Sequence, residues 1–154
     1  MSYINNNHGN SDFYCLCSEK NTDFGPEPYV VNIEQATCGN KNFRTALWTG
    51  NHLQLTLMNI PTGGEVGLEI HNDTDQFLRI ESGRCIVKMG SCKDNLNFQK
   101  CAGPKDGIFI PSGKWHNIIN TGACPLKLYS VYAPPKHPRG TVYQTKEIAE
   151  IAGD

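Results

Sequence analysis

Short extended segments separated by turn residues are the feature that most limits how this chain can fold. Residues 52–60 (HLQLTLMNI) begin with a strict alternation of apolar and polar side chains, which is the period of a β-strand. Fifteen glycines and nine prolines in 154 residues supply many turns. Further strands are predicted at residues 43–48, 66–71, 76–80, 85–89, 107–110, 115–119 and 126–132. So many short strands at close spacing predict an all-β sandwich or barrel.

The alternation in residues 52–60 has two interpretations. The one we favour places Leu53, Leu55 and Leu57 inward, so that Gln54 faces solvent. In the alternative, Gln54 faces the functional site and the leucines form a subunit interface.

The two ends of the chain differ from its strand-rich middle. Residues 1–22 begin polar and rich in asparagine, and we expect a flexible or partner-contacting arm. Residues 23–154 then form a single domain, with a barrel at about 52–132 and a capping tail at 133–154. Prolines in the tail forbid a continuing strand, and residues 145–152 are predicted to form one short helix.

Composition excludes several classes of function. The 14 Lys and Arg residues against 15 Asp and Glu give a net charge of -1, so we expect neither nucleic acid nor membrane as a partner. The polar start lacks the apolar region of a secretory signal, which predicts a cytoplasmic location. The seven cysteines are odd in number and lack zinc-ribbon spacing, so we expect free thiols.

Glu69, Ile70 and His71 are the first residues that suggest chemistry. In a strand, positions i and i+2 point to the same face, so Glu69 and His71 would converge. A carboxylate and an imidazole that face inward together need a partner. Gln76 begins the next predicted strand, and His116 lies in a strand that follows a Pro-Ser-Gly turn.

Two motifs in this part of the chain resemble those of the cupin superfamily. The first is Glu69-x-His71-x4-Gln76-x6-Gly83, and the second is Pro111-x-Gly113-x2-His116-x3-Asn120. The resemblance implies a double-stranded β-helix, also called a jelly-roll barrel. It departs from the usual pattern in the first motif, where Glu69 replaces the first histidine and Gln76 replaces the usual glutamate. The ligand set that it implies is Glu69, His71, Gln76 and His116.

This set of residues suits a divalent transition metal. Two imidazoles and one carboxylate leave open coordination positions, and Gln76 can add a carbonyl oxygen or support the ligands from behind. We expect one metal ion per chain, with Zn, Mn, Fe and Ni not distinguished by the ligands. The alternative is a vestigial barrel, in which Glu69, His71 and Gln76 hydrogen-bond one another without metal.

Within the cupins, the chain resembles the small single-domain proteins called mannose-6-phosphate isomerase-like. Their likeness lies in residues 115–122, 125–129 and 132–135, with His137-Pro138-x-Gly140-Thr141 in the tail. The resemblance implies a metal-dependent isomerase or epimerase that acts on a sugar or sugar phosphate. A mononuclear iron dioxygenase and a non-catalytic cupin that binds a small molecule or sugar are the alternatives.

Candidate catalytic residues are few. Glu69 could move a proton in an isomerisation only if it left the metal. Tyr132, near the end of the last strand, either aims its hydroxyl into the barrel mouth or is an ordinary packed tyrosine. We expect Lys136 and His137 to be exposed on a rigid proline-rich loop, with a lid over the site as the alternative. Cupins of this size are usually dimers, so the expected partners are a small-molecule substrate or ligand and a second copy, as a homodimer.

Overall fold

The computed structural model describes residues 21–154 and contains two antiparallel sheets and two short helices. In sheet order, the larger sheet is β6-β3-β8-β2-β1-β9 and the smaller is β5-β4-β7. The elements are α1 (Ile33–Gly39), β1 (Arg44–Thr49), β2 (Gln54–Ile60), β3 (Asp75–Ser82), β4 (Cys85–Gly90), β5 (Phe98–Ala102), β6 (Gly107–Ile110), β7 (Trp115–Asn120), β8 (Leu126–Ala133), β9 (Val142–Tyr143) and α2 (Lys146–Ile151). The all-β prediction is confirmed.

The main core lies between the two sheets. Aliphatic side chains from both inner faces fill it, among them Ile60, Ile80 and Leu128 from the large sheet and Val87 and Ile118 from the small one. Burial of each such side chain stabilises the fold by about 1.5–3 kcal/mol. This packing holds in place the strands that carry the predicted site residues.

A second apolar cluster covers the outer face of the large sheet. Leu57 packs there with Leu47 and Tyr129, and helix α1 contributes Ile33 and Ala36. The other face of β2 therefore points into the barrel, and Gln54 is fully buried. The favoured prediction that the leucines point inward and Gln54 outward is wrong. Because both faces of this sheet are covered, the alternation alone could not tell them apart.

The predicted strand at residues 66–71 is not a regular strand. The segment pairs with β7 through two isolated bridges, Glu65 to Ile119 and Glu69 to His116. Between them Gly67 has a φ of +111°, outside the extended range, and its N–H donates to the Asn117 side chain at 3.0 Å. This glycine breaks the strand while the segment stays attached to β7.

Three further elements escaped the sequence analysis. Helix α1 begins after Asn32, whose side chain accepts a hydrogen bond from the Gln35 N–H, but the helix is only seven residues long. Strand β5 (Phe98–Ala102) carries almost wholly exposed residues and lies between the strands predicted at residues 85–89 and 107–110. The two-residue strand β9 (Val142–Tyr143) pairs with the edge of β1.

The C-terminal end of the chain agrees with prediction. Helix α2 confirms the short terminal helix and is capped by Thr145, whose hydroxyl accepts from the Ile148 N–H. The predicted arm at residues 1–22 lies outside the described residues except for its last two. No helix within residues 21–154 is long and apolar enough to cross a membrane. The described cysteines are free, namely Cys38, Cys85, Cys92, Cys101 and Cys124.

Replacement of Gly67 by alanine is expected to destabilise the protein. A side chain at a φ of +111° is strained, so Gly67→Ala should lower the free energy of unfolding by about 1–3 kcal/mol. Urea denaturation followed by circular dichroism measures this change. The control is Gly39→Ala at the end of α1, where a new Cβ meets nothing within 4 Å. Equal stability of Gly67→Ala and the wild type would contradict the assigned backbone.

Candidate metal centre

Three of the four predicted ligands form one group at the end of the barrel. A ligand atom from each of Glu69, His71 and His116 lies within 4.8 Å of the others. The Glu69 Oε1 atom is 3.2 Å from the Nε2 of His116 and 3.3 Å from the Nε2 of His71. The histidines are 1% and 5% exposed for His116 and His71, so water screens the group only weakly.

Backbone hydrogen bonds hold these ligands in place. Glu69 and His116 bond each other twice, with the Glu69 N–H donating at 3.0 Å and the His116 N–H at 2.9 Å. The carbonyl of His71 accepts from the Gly113 N–H at 2.7 Å, in the turn before β7. The irregular segment at residues 64–71 and strand β7 therefore carry all three ligands.

The protonation of His116 follows from its neighbours. Its Nδ1 lies 2.8 Å from the carbonyl oxygen of Lys114, which can only accept a hydrogen bond. The Nδ1 atom therefore carries the proton, and in the neutral ring the Nε2 lone pair faces the Glu69 carboxylate. Two acceptors at 3.2 Å repel each other unless a proton or a metal cation lies between them.

Two of the predicted ligands have buried atoms without a hydrogen-bond partner. In the described part of the chain, the Nδ1 of His71 has none, and its Nε2 has only the Glu69 carboxylate at 3.3 Å. The amide of Gln76 donates to the Ser130 hydroxyl at 2.8 Å, while its oxygen Oε1 has no partner there. Unpaired buried nitrogen and oxygen acceptors are the ligands that a divalent transition metal takes, so the donor set fits such an ion.

Glu69 remains charged in this environment. Burial alone would raise the pKa of its carboxyl, but the contacts with His116 and His71 and the positive charge of Arg44 outweigh burial. The pKa therefore lies well below its usual range. The site offers one negative ligand, as the sequence predicted.

A cavity of about 200 Å³ opens beside Glu69 and His71, and the capping tail forms its other wall. The remaining lining residues are Lys136, His137, Pro138, Tyr143, Ala152, Gly153 and Asp154. Lys136 is exposed as expected, whereas the prediction that His137 is exposed is wrong. The reason is that Gln54 binds this loop from inside: its side-chain oxygen accepts from the N–H of His137 at 2.9 Å.

His137 is a buried histidine of the cavity wall. Its ring packs edge-on against Tyr132 with 4.9 Å between the centroids, and its Nδ1 contacts the Asp154 carboxylate. Among the described residues, its Nε2 has no partner. Burial lowers the pKa of His137 below its usual range, although the hydrogen bond with Asp154 acts in the opposite direction.

Tyr132 lies beside the centre, but its hydroxyl is turned toward Arg44. The Nη1 of Arg44 donates to the hydroxyl at 2.8 Å, and the tyrosine ring lies 5.9 Å from that of His71. Burial raises the pKa of Tyr132, and the charge of Arg44 only partly offsets this effect. A catalytic role for Tyr132 stays a prediction.

Asp154 was not identified from the sequence, and Arg44 was only one of four basic candidates for binding a substrate phosphate, together with Arg79, Lys114 and Lys136. Arg44 carried a usable signal, since it is the only charged residue of strand β1. Asp154 carried none, because it lies beyond the last helix in a segment without periodicity.

A family model described as a cupin domain matches residues 56–132 of this chain. The chain is also 61% identical over 132 residues to the uncharacterized protein YrkC of Bacillus subtilis, an alignment that covers 86% of this chain and 71% of YrkC. It is 40% identical over 118 residues to the uncharacterized protein L612 of Acanthamoeba polyphaga mimivirus, covering 74% of this chain and 70% of L612.

A similar structure has also been solved. The crystal structure of BH2720 from Bacillus halodurans superposes with a TM-score of 0.84 at 59% sequence identity. The match covers 84% of this chain and 98% of BH2720. The shared architecture therefore extends well beyond the residues that the family model matches.

Removal of the His116 imidazole should greatly weaken metal binding. We expect His116→Ala to lose most of its bound metal, because the remaining ligands are one carboxylate and one imidazole. Inductively coupled plasma mass spectrometry on protein purified without an affinity tag measures the metal per chain. The matched control is His52→Ala, which removes an exposed histidine outside the site. Unchanged metal content in His116→Ala would contradict the ligand assignment.

Proposed function

Because this chain belongs to the family of cupin domains, we propose that it binds one divalent transition metal ion through Glu69, His71 and His116. The observation that carries the proposal is the contact of 3.2 Å between the Nε2 of His116 and the Glu69 carboxylate, which needs a proton or a metal cation between the two atoms. A metal cation held there would meet both atoms and could also take a ring nitrogen of His71. Without metal, the Nδ1 of His71 has no hydrogen-bond partner within residues 21–154, and its Nε2 has only the Glu69 carboxylate at 3.3 Å.

Gln76 supports the same proposal from strand β3. Its hydrogen bond to Ser130 fixes the amide and leaves Oε1 as a free acceptor among the described residues. Gln76 therefore either coordinates the metal itself or orients a metal-bound group by a hydrogen bond. Zn, Mn, Fe and Ni all accept this combination of nitrogen and oxygen ligands.

The bound metal would supply Lewis-acid polarisation of a substrate oxygen. A divalent ion with the single negative charge of Glu69 leaves the centre with a net charge of +1. Such a centre attracts an anionic oxygen or the hydroxyl oxygens of a polyhydroxylated molecule. This charge supports a small oxygen-rich substrate in the adjoining cavity.

For the reaction, we propose isomerisation or epimerisation of a sugar or sugar phosphate, in line with the resemblance to the mannose-6-phosphate isomerase-like cupins. These reactions need a group that moves a proton between substrate carbons. Glu69 is committed to the metal, so the supporting observation is His137. Its lowered pKa keeps the imidazole neutral at pH 7, and its unpaired Nε2 can accept a proton.

Two other functions belong to the same site. A mononuclear iron dioxygenase is the second candidate, because two histidines and one carboxylate with open positions suit non-haem iron. A non-catalytic cupin would use the same metal only to orient a bound small molecule. The homodimer and the cytoplasmic location are retained as proposals, and the site needs neither, since one chain supplies all its ligands.

Exchange of substrate hydrogen with solvent tests the proton-transfer step. Metal-loaded protein is incubated in deuterated water with a panel of aldoses, ketoses and their phosphates, and deuterium incorporation is followed by NMR. We expect incorporation with the wild type and a rate about 10²–10⁴-fold lower with His137→Gln at unchanged metal content. His52→Gln serves as the matched control.

Two results would contradict this proposal. Full exchange in His137→Gln would contradict the role of His137 as the group that moves the proton. Oxygen uptake by the iron-loaded protein, without exchange on any member of the panel, would establish the dioxygenase alternative.

A further inference from the structure

Arg44 is a buried cation that the proposed metal centre does not use. It lies at the start of β1 with 1% of its surface exposed. Two of its contacts are neutral hydroxyls, those of Tyr132 at 2.8 Å and Thr56 at 3.4 Å. A buried guanidinium is costly unless an anion pairs with it.

The paired anion comes from outside the barrel. Asp154, three residues beyond the end of α2, places Oδ2 3.0 Å from the Nε of Arg44. Its other carboxylate oxygen, Oδ1, contacts the Nδ1 of His137. One carboxylate therefore bridges a guanidinium and an imidazole, each by one oxygen.

The position of Asp154 links this bridge to the metal centre. The residue lines the same cavity as Glu69 and His71, and its side chain is only 8% exposed. The backbone delivers it through Gly153, whose φ of +84° turns the chain, and through the Asp154 N–H, which donates to the Ala149 carbonyl at 3.0 Å. Asp154 thus follows α2 in a short segment whose backbone bonds to the last turn of that helix.

We propose that Arg44 and His137 form a carboxylate-binding subsite of this cavity, and that the Asp154 side chain occupies the subsite in place of the ligand. The proposal rests on the metal-binding part of the proposed function and assigns the cavity a substrate class other than the sugar or sugar phosphate proposed above. The substrate is a small organic acid whose carboxylate displaces Asp154 while another of its oxygens approaches the metal ligands. Displacement also releases His137 from Asp154, so that its imidazole becomes available to the substrate.

The charges of the site support this assignment. With Asp154 in place, the charges of Arg44 and Asp154 cancel, and a metal-loaded centre keeps the +1 left by Glu69. Once Asp154 leaves, the site carries a charge of +2. That charge matches a carboxylate together with a second negatively charged or strongly polarised oxygen of the same molecule.

The geometry favours a carboxylate over a phosphate. The two contacts of Asp154 use the two oxygens of one planar group. The cavity of about 200 Å³ is below the range of roughly 300–1,000 Å³ that is usual for ligand pockets, which indicates an acid of few carbon atoms. Inorganic phosphate is therefore the competing probe.

The test compares malonate binding by the full chain and by Asp154→Ala, both first stripped of metal with a chelator. Removal of an internal occupant that fills the subsite more than about nine-tenths of the time should tighten malonate binding at least about tenfold. Isothermal titration calorimetry measures the change. Glu150→Ala is the matched control, since it removes an exposed carboxylate of α2 whose ion pair is with Lys146. Asp154→Asn, which keeps the shape of the side chain, replaces Asp154→Ala if that variant does not fold.

Second-site variants and alternative probes complete the test. In the Asp154→Ala background, Arg44→Lys or His137→Gln should lose the gained affinity, and malonamide, which is uncharged, should not bind. Equal malonate affinity in the wild type, Glu150→Ala and Asp154→Ala would overturn the subsite, as would tightened binding of phosphate without malonate.

The metal content of Asp154→Ala is measured separately. Tightened malonate binding in a protein that takes up no divalent metal would support the subsite and contradict the proposed metal function. A variant that takes up divalent metal but binds malonate no more tightly than the wild type would contradict the subsite and support the proposed metal function.

Discussion

The pairing of the irregular segment at residues 64–71 with β7 is the contact on which the candidate metal centre depends. Reciprocal backbone hydrogen bonds between Glu69 and His116 bring a carboxylate and an imidazole together although 47 residues separate them. Gly67 allows the segment to bend without leaving β7. The core between the sheets in turn holds β7 in place, so the packing of residues such as Ile118 indirectly sets the geometry of the ligands.

The capping tail forms one wall of the cavity beside this centre. Gln54 reaches from β2 to bind the backbone of the loop at residues 136–137, and Asp154 reaches from beyond α2 to pair with Arg44. Both interactions join a buried polar side chain of the barrel to a segment outside it. Burial explains the chemistry that results, since it leaves His137 neutral while contacts with cationic groups keep Glu69 charged.

The sequence predicted the fold and the grouping of three candidate ligands better than their surroundings. Strand alternation and turn residues sufficed for the all-β architecture, and motif spacing was enough to select Glu69, His71 and His116, which the structure brings together. The role of Gln76 stays a prediction. The sequence did not show which face of β2 points into the barrel, because α1 covers the outer leucines and a short helix has little periodicity of its own. Arg44, His137 and Asp154 meet only through tertiary contacts between distant parts of the chain, which local patterns do not encode.

We propose that the carboxylate of Glu69, the Nε2 of His116 and a ring nitrogen of His71 together hold a metal ion. The most direct test is X-ray diffraction from crystals of the protein grown with a divalent transition metal, recorded on both sides of the absorption edge of that metal. We expect an anomalous peak at about 2.0–2.2 Å from one atom of each of these three side chains. A folded protein with no peak among them, or with its metal bound elsewhere, would contradict this assignment.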